Sequence, residues 1–133
     1  MNSMSEMSSR ITAAHSHCPC PNHYLDLAEK IAHTCHESYI RSAIGIGPEA
    51  FRFTTDNEAK GVASNEKYYI LRPEVVETWF YLWRITKQDK YREWAWNVVL
   101  ALEKYAKVDG GYSGIRDVYN IPVEHDDLCG SSH

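Results

Sequence analysis

No apolar run in this sequence approaches the roughly 18 residues that a membrane-spanning helix needs. The N-terminal stretch "MNSMSEMSSRITAAHSHCPCPNH" lacks the apolar centre of a secretory signal. There is no N-x-S/T sequon, so nothing marks a glycosylated surface loop. Clusters of lysine or arginine are missing too: 14 basic residues stand against 18 acidic ones, for a net charge of −4. That balance argues against nucleic acid or an anionic membrane surface as the main partner and leaves a neutral or cationic ligand open. A glycine-rich phosphate loop, a nucleophile elbow and an HExxH motif are all absent, which sets aside nucleotide hydrolases, α/β-hydrolases and common zinc peptidases.

With 133 residues, 44% of them apolar, the chain has material for one core and too little for two. Nine tyrosines and four tryptophans suit either a large core or the stacking floor of a sugar site, and composition does not choose between them. Cys18 and Cys20 are separated by a single proline, too tight for an unstrained mutual disulfide, and the four cysteines define no compartment. His15, His17, Cys18, Cys20 and His23 are all zinc-competent, but their spacing matches no usual knuckle and no second pair follows.

Residues 1–21 show little periodicity and read as a tail outside the fold. From Asn22, Tyr24, Leu27, Ala28, Ile31, Cys35 and Tyr39 recur at helical spacing and predict a first helix ending near Ser42. A long, largely irregular connection follows, with a short extended piece at 51–53. Pro73 suits the first position of a second helix, with Val75, Val76, Trp79, Phe80, Leu82 and Trp83 as its buried face, running to about Thr86. Asp89 is placed to cap a third helix over about 90–107, carrying Tyr91, Trp94, Ala95, Val98, Leu102 and Tyr105 and packing antiparallel on the second. "GYSGIRDVYN" alternates around a glycine and predicts a β-hairpin. Helices with apolar faces and few partners look like a section of a larger helical fold.

Glu74 and Glu77 lie three apart on the second helix with Arg72 just upstream, an arrangement open to two readings. They are an acid/base cluster, or they are ordinary first-turn acids favoured by the helix dipole by about 0.3–1 kcal/mol each. Glu49 follows "GIGP" in the long connection, where a stiff frame could aim a carboxylate into a cleft or simply present it to solvent. His36 and Glu37 fall on the polar side of the first helix, where exposure is the default.

Four blocks in this order, "KIAHTCHESYIRSAIGIGPEAFRF", "NEKYYILRPEVVETWFYLWRIT", "KYREWAWNVVLALEKY" and "GGYSGIRDVYN", resemble the class I α-mannosidases of glycoside hydrolase family 47, of the Golgi α-1,2-mannosidase I type. The resemblance runs from about His23 to Asp127. It implies an enzyme that trims α-1,2-linked mannose from high-mannose N-glycans with inversion, using calcium, in the Golgi or endoplasmic reticulum lumen. It implies an all-α fold, an (αα)7 barrel with a β-hairpin at one end, of which this chain is an incomplete section. Residue by residue, Glu74 in "LRPE" resembles the catalytic base, and Glu49 in "GPE" resembles a second active-site acid, sometimes assigned as the proton donor. Arg72 and Glu77 resemble residues that bind the substrate sugar, and Cys35 resembles one half of the family's disulfide.

The departures set further expectations. The family's first catalytic glutamate, its mid-domain aspartate and the partner of Cys35 have no counterpart here, nor does the downstream threonine that ligates calcium. Expected domains are therefore a non-family tail over 1–21, a late section of the catalytic domain over 22–127 and a second tail over 128–133, with no activity in this chain by itself. Uncovered helix faces would leave Trp79, Trp83, Trp94 and Trp96 partly exposed. Two competing readings are a remnant that binds mannose without cleaving it and a helical protein-interaction module. The latter predicts a repeat of 30 to 45 residues that the sequence does not show.

Overall fold

The computed structural model describes residues 21–126. Chain contacts divide the molecule at Lys30, and the two units are described separately. The zinc-competent residues before position 21, and Cys129, lie outside the described residues.

In the first unit, helix α1 begins at Pro21 and runs on to Ile40. Tyr24 and Leu27 are exposed, and Lys30 Nζ donates to Asp26 Oδ2 at 2.6 Å. An exposed pair one turn apart contributes only about 0.3–0.5 kcal/mol.

The second unit holds the rest of α1, a stitched connection, helices α2 (Glu74–Thr86) and α3 (Lys90–Tyr105), and two short antiparallel ribbons. The buried stripe of α1 is Ala32 and Tyr39 with the small Ser38 between, while Ile31 stays exposed. Helix α2 starts one residue later than expected: Pro73 is its N-cap, and the Pro73 carbonyl accepts the Glu77 N–H at 2.8 Å. It stops at Lys87, which adopts the left-handed conformation (φ 60°) and donates its N–H to the Trp83 carbonyl. The short turn that follows lets α3 pack back on α2.

Two apolar groups form. One joins Ile44, Ile46, Tyr69, Ala101, Ala106, Ile115 and Val118. The other is aromatic: Trp79 is fully buried, with Tyr39 at 5.3 Å and Trp94 at 5.7 Å, both edge-on. Edge-to-face pairs of this kind contribute about 0.5–1.5 kcal/mol each beyond their burial. The indole Nε1 donates to the Ala32 carbonyl at 3.2 Å, so the buried N–H is satisfied. The expectation that Trp79 would be left partly uncovered is therefore corrected, because α1 and α3 close over it. Phe80, expected inside, is half exposed instead. His36 also departs from expectation: it stacks on Trp94 with centroids 3.9 Å apart, and burial lowers its pKa. Glu37 is half-buried and bonded to Arg41 at 3.0 Å.

The hairpin lies earlier than the alternating segment suggested. Strand β1 (Lys107–Val108) pairs with β2 (Gly111–Tyr112) across Asp109 and Gly110, and Gly110 takes a positive φ of 91° that a side chain resists. Strand β3 (Gly114–Ile115) pairs with the distant β4 (His125–Asp126) rather than closing a hairpin of its own. Tyr69 and Ile115 exchange both backbone bonds, at 2.7 and 2.8 Å, which ties the approach to α2 onto β3.

Candidate active site

The approach to α2 is held at an unusual angle. Tyr69 is anchored on Ile115, and two residues later Leu71 sits at φ 60°, a left-handed conformation that costs a leucine about 1 kcal/mol or more. Arg72 follows directly, and Pro73 then fixes the start of the helix. The Tyr69 hydroxyl donates to the Arg72 carbonyl at 3.4 Å. This strained turn sets the direction in which Arg72 leaves the backbone.

Arg72 reaches Glu49. Its Nη2 lies 3.0 Å from Glu49 Oε1, with the glutamate side chain 21% exposed and the arginine 54%. The Glu49 N–H donates to the Tyr68 carbonyl at 2.8 Å, so the loop carrying the acid is laced to the strand that leads to the arginine. Glu74 stands at the first position of α2, close enough to two phenols that its charge acts on both. Burial raises the Tyr69 pKa and Glu74 adds to it; burial likewise raises Tyr39, with Tyr69, Cys35 and Glu74 adding. Glu77 is exposed one turn further on.

The structure thus brings Glu49 and Arg72 into contact, and the charge of Glu74 acts on Tyr39 and Tyr69. Glu77 shares the first turn of α2 with Glu74 and makes no bond to the other three among the described residues. Tyr39 and Tyr69 were not singled out by sequence reasoning as site residues. The available signal was their position, Tyr69 three residues before Arg72 and Tyr39 at the end of the apolar stripe of the first helix. Cys35 is a free, half-buried thiol with no sulfur partner among the described residues, and burial raises its pKa.

A second carboxylate was missed entirely. Glu66, in a 3-10 turn Ser64–Glu66, is buried. It accepts Arg52 Nε at 2.6 Å, with Arg52 Nη2 also in contact, and the N–H groups of Val62 and Ala63 at 2.9 and 3.0 Å. The Arg52 bond, then the two amides, hold its carboxyl down to about 2. Glu66 pins the long connection in which Glu49 sits. Beneath Leu71 and Pro73 opens a hollow of about 310 Å³ lined by Tyr69, Val76, Val98 and Leu102. Its walls are mostly apolar and offer few partners for sugar hydroxyls, so Glu49, Arg72 and Glu74 together are the candidate site.

Glycoside hydrolases work with a pair of Asp or Glu side chains flanking the scissile bond. The model of glycosyl hydrolase family 47 matches residues 3–132, and the chain belongs to that family. It is 56% identical over 106 residues to the mannosyl-oligosaccharide 1,2-alpha-mannosidase IB of Homo sapiens and 59% identical over 106 residues to the IA enzyme of Sus scrofa. Each alignment covers 80% of this chain and 16% of the relative, so the chain spans about a sixth of their length. The solved alpha-1,2-mannosidase from Trichoderma reesei superimposes with a TM-score of 0.65 at 31% identity, over 74% of this chain and 24% of that one. The helix-rich fold with small antiparallel ribbons is that of part of such an enzyme.

Proposed function

We propose that this chain supplies one wall of a site that removes α-1,2-linked mannose from high-mannose N-glycans by hydrolysis with inversion. The observation that carries the proposal is the Glu49–Arg72 pair, held at 3.0 Å immediately before the helix start that presents Glu74. Glu74 takes the proton of the attacking water. Glu49 delivers one to the departing oxygen, and Arg72 and Glu77 bond to the sugar. An inverting pair must stand about 6.5–9.5 Å apart so that water fits between the base and the sugar. A carboxylate bonded to a guanidinium is ionised, so Glu49 must leave Arg72 and take up a proton from solvent before it can give that proton to the glycosidic oxygen.

Calcium belongs to the proposal through the family. Among the described residues no three His, Cys, Asp or Glu side chains converge into a cage for an ion. None of the steps above passes through calcium. We extend the proposal to a section of an (αα)7 barrel working in the Golgi or endoplasmic reticulum lumen, with no turnover by the 133 residues alone. No helix of the described residues is long and apolar enough to cross a membrane.

The test is a graft. Residues 22–127 replace the matching segment of the Sus scrofa IA enzyme, and the product of a high-mannose glycan is followed by NMR. The expected result is mannose appearing first as the β-anomer, with release stopped by EDTA, while the ungrafted 133-residue chain releases none. A folded graft that yields the α-anomer first, or no mannose, contradicts the proposal.

A further inference from the structure

Gly47 lies two residues before Glu49, and its lack of a side chain has a single visible cause. A Cβ built there would fall closer than 3.0 Å to three atoms of the Tyr39 ring, Cδ2, Cε2 and Cζ. The backbone of Gly47 therefore rests directly against the Tyr39 ring. That ring has little freedom to retreat: Tyr39 is buried, and it abuts the fully buried Trp79 edge-on at 5.3 Å. Trp79 is in turn fixed by its bond to the Ala32 carbonyl. From this seat the chain passes through Pro48, whose φ is constrained by its ring, to Glu49, whose N–H is bonded to Tyr68. The carboxylate then meets Arg72.

We propose that Tyr39 is a positioning residue for the Glu49–Arg72 pair: its ring is the seat of the Gly47 backbone, and the seat determines where Glu49 reaches Arg72. The importance of this for catalysis rests on the mannosidase reading, whereas the seat itself does not. The hydroxyl plays no part in the seat, so the ring alone is required.

The experiment uses the whole 133-residue chain and the guanidinium Nη–H signals of its arginines in NMR spectra. A carboxylate held against a guanidinium slows rotation of the Nη groups and keeps their signals apart. Arg52, bonded to Glu66, is the internal reference for folded structure. Resolved Arg72 signals are expected in the wild type and in Tyr39→Phe, which keeps the ring. In Gly47→Ala the Arg72 signals are expected to collapse while those of Arg52 persist. Unchanged Arg72 signals in Gly47→Ala, their loss in Tyr39→Phe, or their absence from the wild type overturns the proposal. If Gly47→Ala also loses the Arg52 reference, Tyr39→Leu alone decides. Collapse at Arg72 with Arg52 intact supports the seat, and retention overturns it. No sugar enters these measurements, so a graft that fails to release mannose leaves this result standing.

Discussion

Glu66 and Cys35 show how differently this chain treats its ionisable side chains. The Glu66 carboxyl is held near 2 by Arg52 and two backbone amides, well under its ordinary value of 4.5. A folded-state pKa below the unfolded one means that its contribution to stability is complete above the ordinary value and is lost as the pH falls toward 2. Carbon-detected NMR should therefore find the Glu66 midpoint near 2, with the protection of the Val62 and Ala63 amides, relative to their intrinsic exchange rates, falling as the pH approaches 2. A midpoint at the ordinary value would show that the anchor is not formed. Burial raises the Cys35 thiol, so less thiolate is present at neutral pH, and reaction with a disulfide reagent should be slower than for a free cysteine in an unfolded peptide. At this scale the sequence was uneven. The "LRPE" and "GPE" blocks brought Arg72, Glu74 and Glu49 forward, but the Arg72–Glu49 contact joins distant parts of the chain and no spacing rule reports it. The Arg52–Glu66 anchor was invisible for the same reason, and Leu71 was invisible because leucine gives no sign of a left-handed backbone.

Helices were the most legible elements, because each apolar residue at three- or four-residue spacing repeats the same message. All three appear within a few residues of expectation. The ribbons were less so: pairing of Gly114–Ile115 with His125–Asp126 depends on a loop closing, and only the Asp109–Gly110 turn had a local signal. Which side of a helix is covered also depends on its partners. His36 was expected in solvent and instead stacks on Trp94, since an imidazole face serves as packing surface when its neighbours are aromatic. Two predictions belong to these elements. Trp79→Ala removes a fully buried indole and its bond to α1 and should destabilise the fold by about 3–5 kcal/mol, read from the denaturation midpoint. Lys87→Gly relieves a left-handed lysine at the end of α2, at the loss of a cation–π contact 5.6 Å from Trp83, and should stabilise by up to about 1 kcal/mol. No gain, or a loss, on Lys87→Gly would show that the cation–π contact outweighs the backbone strain.

Large side chains of α2 and α3 leave apolar surface open to solvent. Phe80, Tyr81, Ile85, Trp96 and Leu100, on the outer sides of α2 and α3, are each at least half exposed, with Trp96 at 60%. Such surface favours association. The 15.3 kDa chain should bind an apolar dye and sediment as a species heavier than a monomer, and lysine at both Trp96 and Leu100, one turn apart on α3, should weaken both effects. A monomer that binds no dye would contradict this. The central claim is about Glu74, which local rules treat as an ordinary first-turn acid and the family reading treats as the base that activates water. The most direct measurement is the steady-state hydrolysis of an α-1,2-linked mannose substrate by the graft carrying Glu74→Gln. Loss of kcat by a factor of about 100 to 10,000, with KM little changed, is the predicted result. An unchanged kcat would contradict the account.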